Sequence, residues 1–471
     1  MFQNLARHSA DFLSEWFHHS RRKPLVIRGA RQVGKTSAVR AFAEAQGLTL
    51  CEINLEKHLH LDDVFRSYDI RKINLEIEAI TGVSPQKPGH LLFLDEIQAT
   101  PHALAALRYY YEESPELPVI ATGSLLEFTL SRANFSMPVG RVVYYHLFPL
   151  SFREFLQAVA PDLLNYLDAI SLESEIPGSA HRRLLEKQRE YLFVGGMPEA
   201  VSVYKETGSI TEVSEIHRSI IDTYQDDFHK YASQKELLKL QKIFSQIPGK
   251  LTQKTKYSQY DPDARTNEVK QVINLLTKAR VCFPVVRSHG NGIPLSAEAD
   301  EKSFKLLFLD VGLANHLLGL RWHSIQELTE NELVNEGGLA EQFIGQHLLN
   351  IGEGRQNPEL HYWLREGKAN NAEVDYLIAL GGHIYPVEVK AGKSGSLKSL
   401  HQFLHQKGGQ FAIRFDLNPP SRQSMQTSIR VSGTQNETKP VAYSLISLPL
   451  YAVGEIKRIC GQIERGTEES L

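Results

Sequence analysis

The chain has 471 residues, which is too long for one ordinary hydrophobic core and predicts about three domains. Charged residues make up 23% and hydrophobic residues 42% of the chain, as in an ordinary soluble globular protein. The formal charge of -3 argues against a protein that coats nucleic acid along its entire surface, although it allows a local basic patch.

Compartment signals in the sequence favour the cytoplasm. No stretch reaches the roughly 18 uninterrupted apolar residues of a membrane span, and residues 1–16 lack the continuous apolar core of a signal peptide. Cys51, Cys282 and Cys460 lie far apart and form no C-x-x-C pair, which is typical of a reducing compartment. We therefore expect a cytoplasmic protein without a membrane partner.

The first functional pattern is a glycine-rich loop in residues 29–36, which fits G-x-x-x-x-G-K-[ST]. An apolar run, residues 25–27, precedes it and a helix-compatible run, residues 37–45, follows it. This strand-loop-helix context predicts a triphosphate site, with Lys35 reaching the β- and γ-phosphates and Thr36 as a Mg²⁺ ligand. The residues predicted to bind the nucleotide are Gly29, Ala30, Arg31, Gln32, Val33, Gly34, Lys35, Thr36 and Ser37.

A second apolar run, residues 91–94, ends in two carboxylates. Together with the glycine-rich loop, this run predicts a Walker B strand. Asp95 would complete the Mg²⁺ shell and Glu96 would polarise the attacking water. Solvated acids at a strand end are the alternative. After a further strand pattern, Thr122 or Ser124 could sense the γ-phosphate or the water, because ligands sit at the carboxyl ends of such strands.

Two further features concern the identity and completion of the nucleotide site. No [NT]-K-x-D element is present, which favours ATP over GTP. Arg132 and Arg141 are candidate arginine fingers for a neighbouring subunit, which would make the protein a homo-oligomer. A salt-bridged surface arginine is the alternative in each case.

Helical patterns replace strand patterns after Pro149, over residues 151–159 and 179–193. The second run stops at a Gly-Gly-Met-Pro sequence. We therefore predict a P-loop ATPase core in residues 1–150 and a helical lid in residues 151–230, whose movement reports the nucleotide state.

The middle of the chain is basic. Residues 230–287 contain 12 Lys or Arg and only four Asp or Glu, in a chain whose net charge is -3. Two amphipathic helices followed by strand patterns are the order of a winged helix-turn-helix, which we predict for residues 231–320. Its lysines could contact DNA phosphates, or they could simply solvate the outer helix faces.

Two strand patterns in the predicted C-terminal domain, residues 325–471, suggest a hairpin. Residues 373–378 and 385–390 alternate, and a Gly-Gly pair separates them. The side chains of Glu388 and Lys390 leave one face of the second strand, and ordinary pairing would place Asp375 beside Glu388.

This hairpin carries a second possible chemistry. Because adjacent carboxylates repel each other, a divalent cation would stabilise Asp375 and Glu388, and Lys390 could orient or deprotonate a water for attack on a phosphodiester. Glu341, in a helical run, could add a third metal-binding acid. The alternative is a solvated hairpin with alternating charges.

In both its N-terminal and its C-terminal motifs, the chain resembles a prokaryotic family of AAA+-type ATPases that carry an uncharacterised C-terminal domain similar to PD-(D/E)xK nucleases. The matching segments follow one another in order over nearly the whole chain: residues 29–36, 94–98, 122–124, 140–142, 148–155, 195–198, 309–313, 373–375 and 388–390. A small departure is Met197, where similar sequences often have an aromatic residue. The resemblance implies an ATPase core, a lid, a winged-helix segment and a nuclease-like end.

The predicted fold class is α/β: an AAA+-like P-loop parallel sheet with a helical lid, a winged-helix segment and a C-terminal restriction-endonuclease-like α/β domain. The predicted catalytic residues are Glu96, Lys35, Ser124, Arg141 and Lys390, and the predicted metal ligands are Thr36, Asp95, Glu341, Asp375 and Glu388. One hypothesis is an ATPase, using ATP and Mg²⁺, that presents DNA to a cleavage site. The other is a nucleotide-controlled switch whose C-terminal domain binds DNA or protein without cleaving it.

Overall fold

The computed structural model describes residues 5–124, 126, 140–173, 175–230, 232–320, 336–366, 371–392, 395–430 and 438–468. Arg132 lies outside the described residues. Within these ranges, none of the helices combines the length and the apolar character that crossing a bilayer requires.

The N-terminal part is built on a parallel sheet. Its five strands in the described part of the chain are β1 (Leu25–Arg28), β2 (Thr49–Asn54), β3 (His90–Asp95), β4 (Val119–Gly123) and β5 (Val143–His146). They lie in the order β2-β3-β4-β1-β5. The flanking helices are α1 (Ser9–His18), α2 (Lys35–Ala45), α3 (Leu61–Phe65), α4 (Ile70–Thr81) and α5 (Pro101–Glu113).

Both faces of this sheet are covered, which explains the apolar runs in the sequence. Along β3, Leu91 and Phe93 pack into one hydrophobic cluster, and Leu92 and Leu94 pack into another on the opposite face. A strand buried on both faces needs apolar residues at every position, as parallel sheets usually do. The predicted parallel P-loop sheet is confirmed.

A helical block follows the sheet within residues 151–230, and its role as a lid stays a prediction. It begins with a capping box, in which the Ser151 hydroxyl accepts from the Glu154 amide and the Glu154 carboxylate accepts from the Ser151 amide. Its helices are α6 (Phe152–Val159), α7 (Leu164–Asp168), α8 (Gly178–Val194), α9 (Pro198–Thr207) and α10 (Ile210–Asp227).

The middle segment contains the expected helices and strand pair. They are α11 (Gln234–Gln246), α12 (Thr266–Lys278), β6 (Cys282–Ser288) and β7 (Ala299–Phe308), followed by α13 (Val311–Leu317). The antiparallel pair does not stand apart as a separate wing, because β6 also pairs in parallel with strand β8 (Leu360–Arg365). The domain boundary predicted at residues 320–325 therefore lies between two strands, β7 and β8, of the same sheet. The winged helix stays a prediction.

The C-terminal part completes this second sheet. The remaining strands are β9 (Ala372–Leu380), β10 (His383–Val389), β11 (Phe411–Asp416), β12 (Ser421–Arg430) and β13 (Thr438–Pro449), and the helices are α14 (Glu336–Leu349), α15 (Lys398–Lys407) and α16 (Ile456–Glu468). In the described ranges eight strands lie in the order β12-β13-β11-β10-β9-β8-β6-β7. The predicted β9–β10 hairpin is confirmed, and it lies between α14 and α15 in a helix-strand-strand-strand-helix order.

Candidate nucleotide site and acidic cluster

The glycine-rich loop lies between β1 and α2, as its sequence predicts. Gly34 has a φ of 91° at the start of α2, a left-handed conformation that glycine adopts without strain. Gly29 allows a close backbone approach, because a Cβ there would lie 2.3 Å from the Leu147 carbonyl oxygen. Both glycines are therefore required by the shape of the loop.

Lys35 is folded onto its own loop. Its ammonium donates to the carbonyl oxygens of Gly29, at 3.1 Å, and Ala30, at 2.8 Å, and the residue is only 7% exposed. The charge therefore lies over the loop at the amino end of α2, where the amide groups and the helix dipole also favour an anion.

Asp95 and Thr36 meet at the carboxyl end of β3. The Thr36 hydroxyl donates to Asp95 Oδ2 at 3.1 Å, and the Thr122 hydroxyl donates to Oδ1 of the same carboxylate. Burial raises the pKa of Asp95, while these hydrogen bonds oppose the rise. Hydroxyl and carboxylate oxygens are the ligands that Mg²⁺ prefers, so this pair suits the predicted metal.

Glu96 is the adjacent candidate base. Its backbone has a φ of 51°, a left-handed conformation uncommon for a residue with a side chain. Its Oε2 accepts from Gln98 Nε2 at 2.5 Å and from the Ser124 hydroxyl at 3.3 Å. The predicted Glu96 and Ser124 are therefore brought together, and Gln98, which has no assigned role in the sequence prediction, fixes the same carboxylate.

Helix α10 holds the other side of the loop. Arg31 Nε lies 2.6 Å from Asp227 Oδ2, and the Tyr224 hydroxyl donates to the Arg31 carbonyl oxygen at 2.7 Å. Neither α10 residue was predicted, because nearly 200 residues separate them from the loop and no local pattern connects them.

Arg7 supports the loop from the N-terminal segment. Its guanidinium donates to the Val33 carbonyl at 3.0 Å, the Phe148 carbonyl at 2.6 Å and Glu154 Oε1 at 3.0 Å. Glu154 also accepts from the His8 amide at 2.8 Å. One buried ion pair thus joins the N-terminal segment, the loop and the first helix of the helical block.

A loop between α8 and α9 links the nucleotide site to the middle segment. A Cβ on Gly34 would lie 3.3 Å from Cγ of Pro198, the first residue of α9, so the start of this helix packs against the glycine-rich loop. Two residues earlier, the Gly196 amide donates to Asp310 Oδ2 at 2.6 Å, and Asp310 also caps α13 by accepting from the Leu313 amide. Burial raises the pKa of Asp310 to about 6, against the effect of these amides.

Arg141 lies away from the glycine-rich loop. It precedes β5, which runs parallel to β1, so it lies at the opposite end of the sheet from the loop. Its Nε forms an ion pair with Glu112 at 3.0 Å, and its side chain is 45% exposed. It does not join its own chain's nucleotide site, and a role in a neighbouring subunit stays a prediction.

The predicted C-terminal residues are brought together. The β9–β10 register places Asp375 next to Glu388, and Asp375 Oδ2 accepts from the Val389 amide at 2.7 Å. The Lys390 ammonium donates to Glu388 Oε1 at 2.5 Å, whereas Oε2 of the same buried carboxylate has no hydrogen-bond partner. Burial and the Asp375 charge raise the pKa of Glu388 to about 7.

A second lysine, absent from the sequence prediction, lies in this cluster. Lys305 of β7 donates to Glu341 Oε1 at 2.7 Å and to Glu373 Oε1 at 2.8 Å. Burial raises the pKa of Glu341 to about 8, although Lys305 opposes this rise. Across the described residues, no set of three or more His, Cys, Asp or Glu side chains is arranged to hold a metal ion.

Three lysines of the basic middle segment are paired with acids. Lys239 contacts Glu268, Lys242 contacts Asp261 and Lys254 contacts Glu366. These three lysines form ion pairs within the chain, and DNA binding by this segment stays a prediction.

Comparisons with known proteins agree with the N-terminal assignment. Residues 21–156 match the AAA domain family, residues 185–324 a domain of unknown function (DUF8612) and residues 336–431 another (DUF4143). A 106-residue stretch is 29% identical to midasin of Giardia intestinalis and covers 22% of this chain but only 2% of midasin.

Two solved structures show weak similarity. C. elegans PCH-2 is 12% identical, with 44% of this chain and 66% of that chain covered and a TM-score of 0.27. ORC1 of Aeropyrum pernix, solved in complex with DNA, is 13% identical, with 68% and 92% covered and a TM-score of 0.26.

The family match covers the glycine-rich loop, both acids at the end of β3 and the strands that position them. Residues 21–156 therefore match an AAA domain in the same segment that carries the candidate nucleotide site.

Proposed function

We propose that this chain couples ATP hydrolysis to divalent-metal-dependent cleavage of nucleic acid at the C-terminal acidic cluster. The observation that carries the second half of this proposal is the buried Glu388 oxygen that has no partner, next to Asp375 and Lys390. A buried carboxylate oxygen without a partner is costly and favours a ligand at that position.

In the ATPase domain, the chain's own residues supply binding and proton transfer. Lys35 would contact the phosphates in place of the Gly29 and Ala30 carbonyls. Thr36 and Asp95 would hold Mg²⁺, which neutralises charge on the phosphates. Glu96 would orient a water and accept its proton, with its own carboxylate held by Gln98 and Ser124.

The charges of the C-terminal cluster support one bound divalent cation. Four acids, Glu341, Glu373, Asp375 and Glu388, face two lysines, Lys305 and Lys390. With all six groups ionised the net charge of the cluster is −2, which one Mg²⁺ or Mn²⁺ would neutralise. Asp375 and Glu388 would hold this cation, and Lys390 would orient the attacking water. Glu341, the third acid of the sequence prediction, is engaged by Lys305 instead.

The proposed coupling runs through the loop between α8 and α9. The Gly196 amide of this loop donates to Asp310, which follows β7 of the second sheet, and Pro198, which follows the loop at the start of α9, lies against Gly34 of the nucleotide loop. A shift of the nucleotide loop on ATP binding would therefore be transmitted to the strand that carries Lys305.

Changing Lys390 to alanine tests the nuclease half. We expect Mn²⁺-dependent plasmid nicking to fall by about 10²-fold or more, because the water loses the group that orients it. Lys398→Ala, which removes an exposed lysine eight residues away, should nick like the wild type. A wild type that nicks no plasmid, or equal rates in wild type and Lys390→Ala, would contradict this half.

The Asp310→Asn variant tests the coupling. The amide keeps the shape of the side chain but can accept through only one oxygen, so the Gly196 or the Leu313 amide loses its acceptor. We expect the ratio of nicking rates with and without ATP to fall toward one while ATP turnover persists. Asp263→Asn, at an exposed position of the middle segment, is the matched control, and an unchanged ratio in Asp310→Asn would rule out this route.

A second candidate function is a nucleotide-controlled switch that binds DNA or protein without cleaving it. The observation that favours it is the engagement of Glu341 by Lys305, which supplies a positive charge to the cluster without a metal. In this case Lys390→Ala would leave partner binding intact, and no metal-dependent nicking would occur in any variant.

A further inference from the structure

Lys305 is among the most deeply buried charged residues of the described chain, with 1% of its surface exposed. It lies on β7, upstream of the helix and hairpin that carry the predicted site. Its ammonium donates to one oxygen of Glu341 and to one oxygen of Glu373.

Aromatic rings complete the surroundings of this ammonium. Lys305 Nζ lies 5.0 Å from the ring centre of Tyr362 and 5.7 Å from that of Tyr376. Both rings are fixed, because the Tyr362 hydroxyl pairs with Ser303 and the Tyr376 hydroxyl donates to the Glu341 carbonyl. Two carboxylates and two ring faces form a site built to hold a positive charge.

We propose that the Lys305 ammonium is a built-in cation that fills one half of the acidic cluster, so that the cluster accepts only one divalent cation, at Asp375 and Glu388. This inference rests on the metal-dependent site of the proposed function. It concerns how many cations the site holds rather than whether the site cleaves.

The hydrogen bonds divide the cluster in this way. Glu341 and Glu373 each give an oxygen to Lys305, whereas Glu388 keeps an oxygen without a partner. Two-metal sites place their cations about 3.5–4 Å apart and need acids for both. Lys305 takes up the acids that a second cation would need, and the buried aromatic rings keep it in place.

Removing the Lys305 charge should open the second position. Lys305→Met leaves four acids and one lysine. Their net charge is −3, which is more than one divalent cation can neutralise. We therefore expect the number of Mn²⁺ ions bound by the cluster to rise from one in the wild type to two in the variant.

The measurement is Mn²⁺ binding to the full-length chain by titration calorimetry, without nucleotide, with Asp95→Asn in every sample to silence the ATPase metal site. Asp375→Asn identifies the ions that belong to the cluster. Lys302→Met, an exposed lysine on the same strand, is the matched control and should bind one ion. Lys305→Gln, which can still donate to one acid, is the second variant in case Lys305→Met does not fold, and we expect two ions there as well.

The outcomes separate the two proposals. One ion in the wild type and one in both Lys305 variants would overturn the built-in cation and leave the metal-dependent site standing. Two ions in the wild-type cluster would also overturn it. If Asp375→Asn binds as many Mn²⁺ ions as the wild type, the cluster holds no ion. That result would overturn both the metal-dependent site and this inference.

Discussion

Replacing Glu96 by glutamine is expected to slow ATP turnover by about 10²–10⁴-fold while ATP binding persists. The Glu96 amide donates to Asp95, a candidate Mg²⁺ ligand, and the Glu96 carboxylate is held by Gln98 and Ser124. Glutamine can still accept the Ser124 hydrogen bond, but it cannot take a proton from water. Steady-state phosphate release and equilibrium binding of a fluorescent ATP analogue, measured on the same preparation, separate the two effects.

Two further variants are the controls of this experiment. Glu113→Gln changes an exposed acid at the end of α5 and should hydrolyse ATP like the wild type. Lys35→Ala removes the loop ammonium and should bind no nucleotide, which gives the background of both assays. Turnover in Glu96→Gln equal to that of the wild type would remove Glu96 from the proposed role.

The nucleotide site could be predicted from the sequence because its determinants are local. The glycine-rich loop needs Gly29 and Gly34 for its backbone shape, and Lys35 and Thr36 follow at once on the helix. The acidic pair ends a strand whose burial on both faces requires an uninterrupted apolar run. Similarly, the period-two pattern of β9 and β10 fixed the approach of Asp375 to Glu388, because a Gly-Gly turn sets their register.

The remaining features depend on contacts between distant segments, which no local pattern encodes. The strand pair predicted as a wing joins the C-terminal sheet because β6 finds a parallel partner in β8, some 75 residues later. That pairing carries Lys305 into the acidic cluster. Read alone, β7 is an amphipathic strand with a lysine, and its burial between two glutamates follows only from the tertiary fold.

Changing Arg7 to alanine is expected to reduce the free energy of unfolding by about 3–5 kcal/mol at pH 7, the usual result of breaking a buried ion pair from one side. Glu154 is buried and Arg7 is largely buried, with side-chain exposures of 4% and 10%. The change would leave the Glu154 carboxylate without its cation and the Val33 and Phe148 carbonyls without their donor. Because Val33 belongs to the nucleotide loop, ATP affinity should fall as well.

The pH dependence provides an independent check of this pair. Burial alone would raise the pKa of Glu154, but Arg7 and the amides of Ser151 and His8 hold it below its ordinary value of 4.5. A lowered pKa means that the stabilisation is present above this ordinary value and is lost as the pH falls through the folded-state pKa. In Arg7→Ala this loss on the acid side should shrink, because the stabilisation is already reduced at neutral pH.

Urea unfolding at pH 7 measures the Arg7 effect, and a double substitution identifies its cause. Arg21→Ala, an exposed arginine of the same segment, should unfold within about 0.5 kcal/mol of the wild type. Arg7→Ala combined with Glu154→Gln should recover part of the lost stability, since no unpaired charge then stays buried. If Arg7→Ala unfolds like Arg21→Ala, Arg7 is not what holds the loop against the helical block, and the loop must depend on Tyr224 and Asp227 of α10 instead.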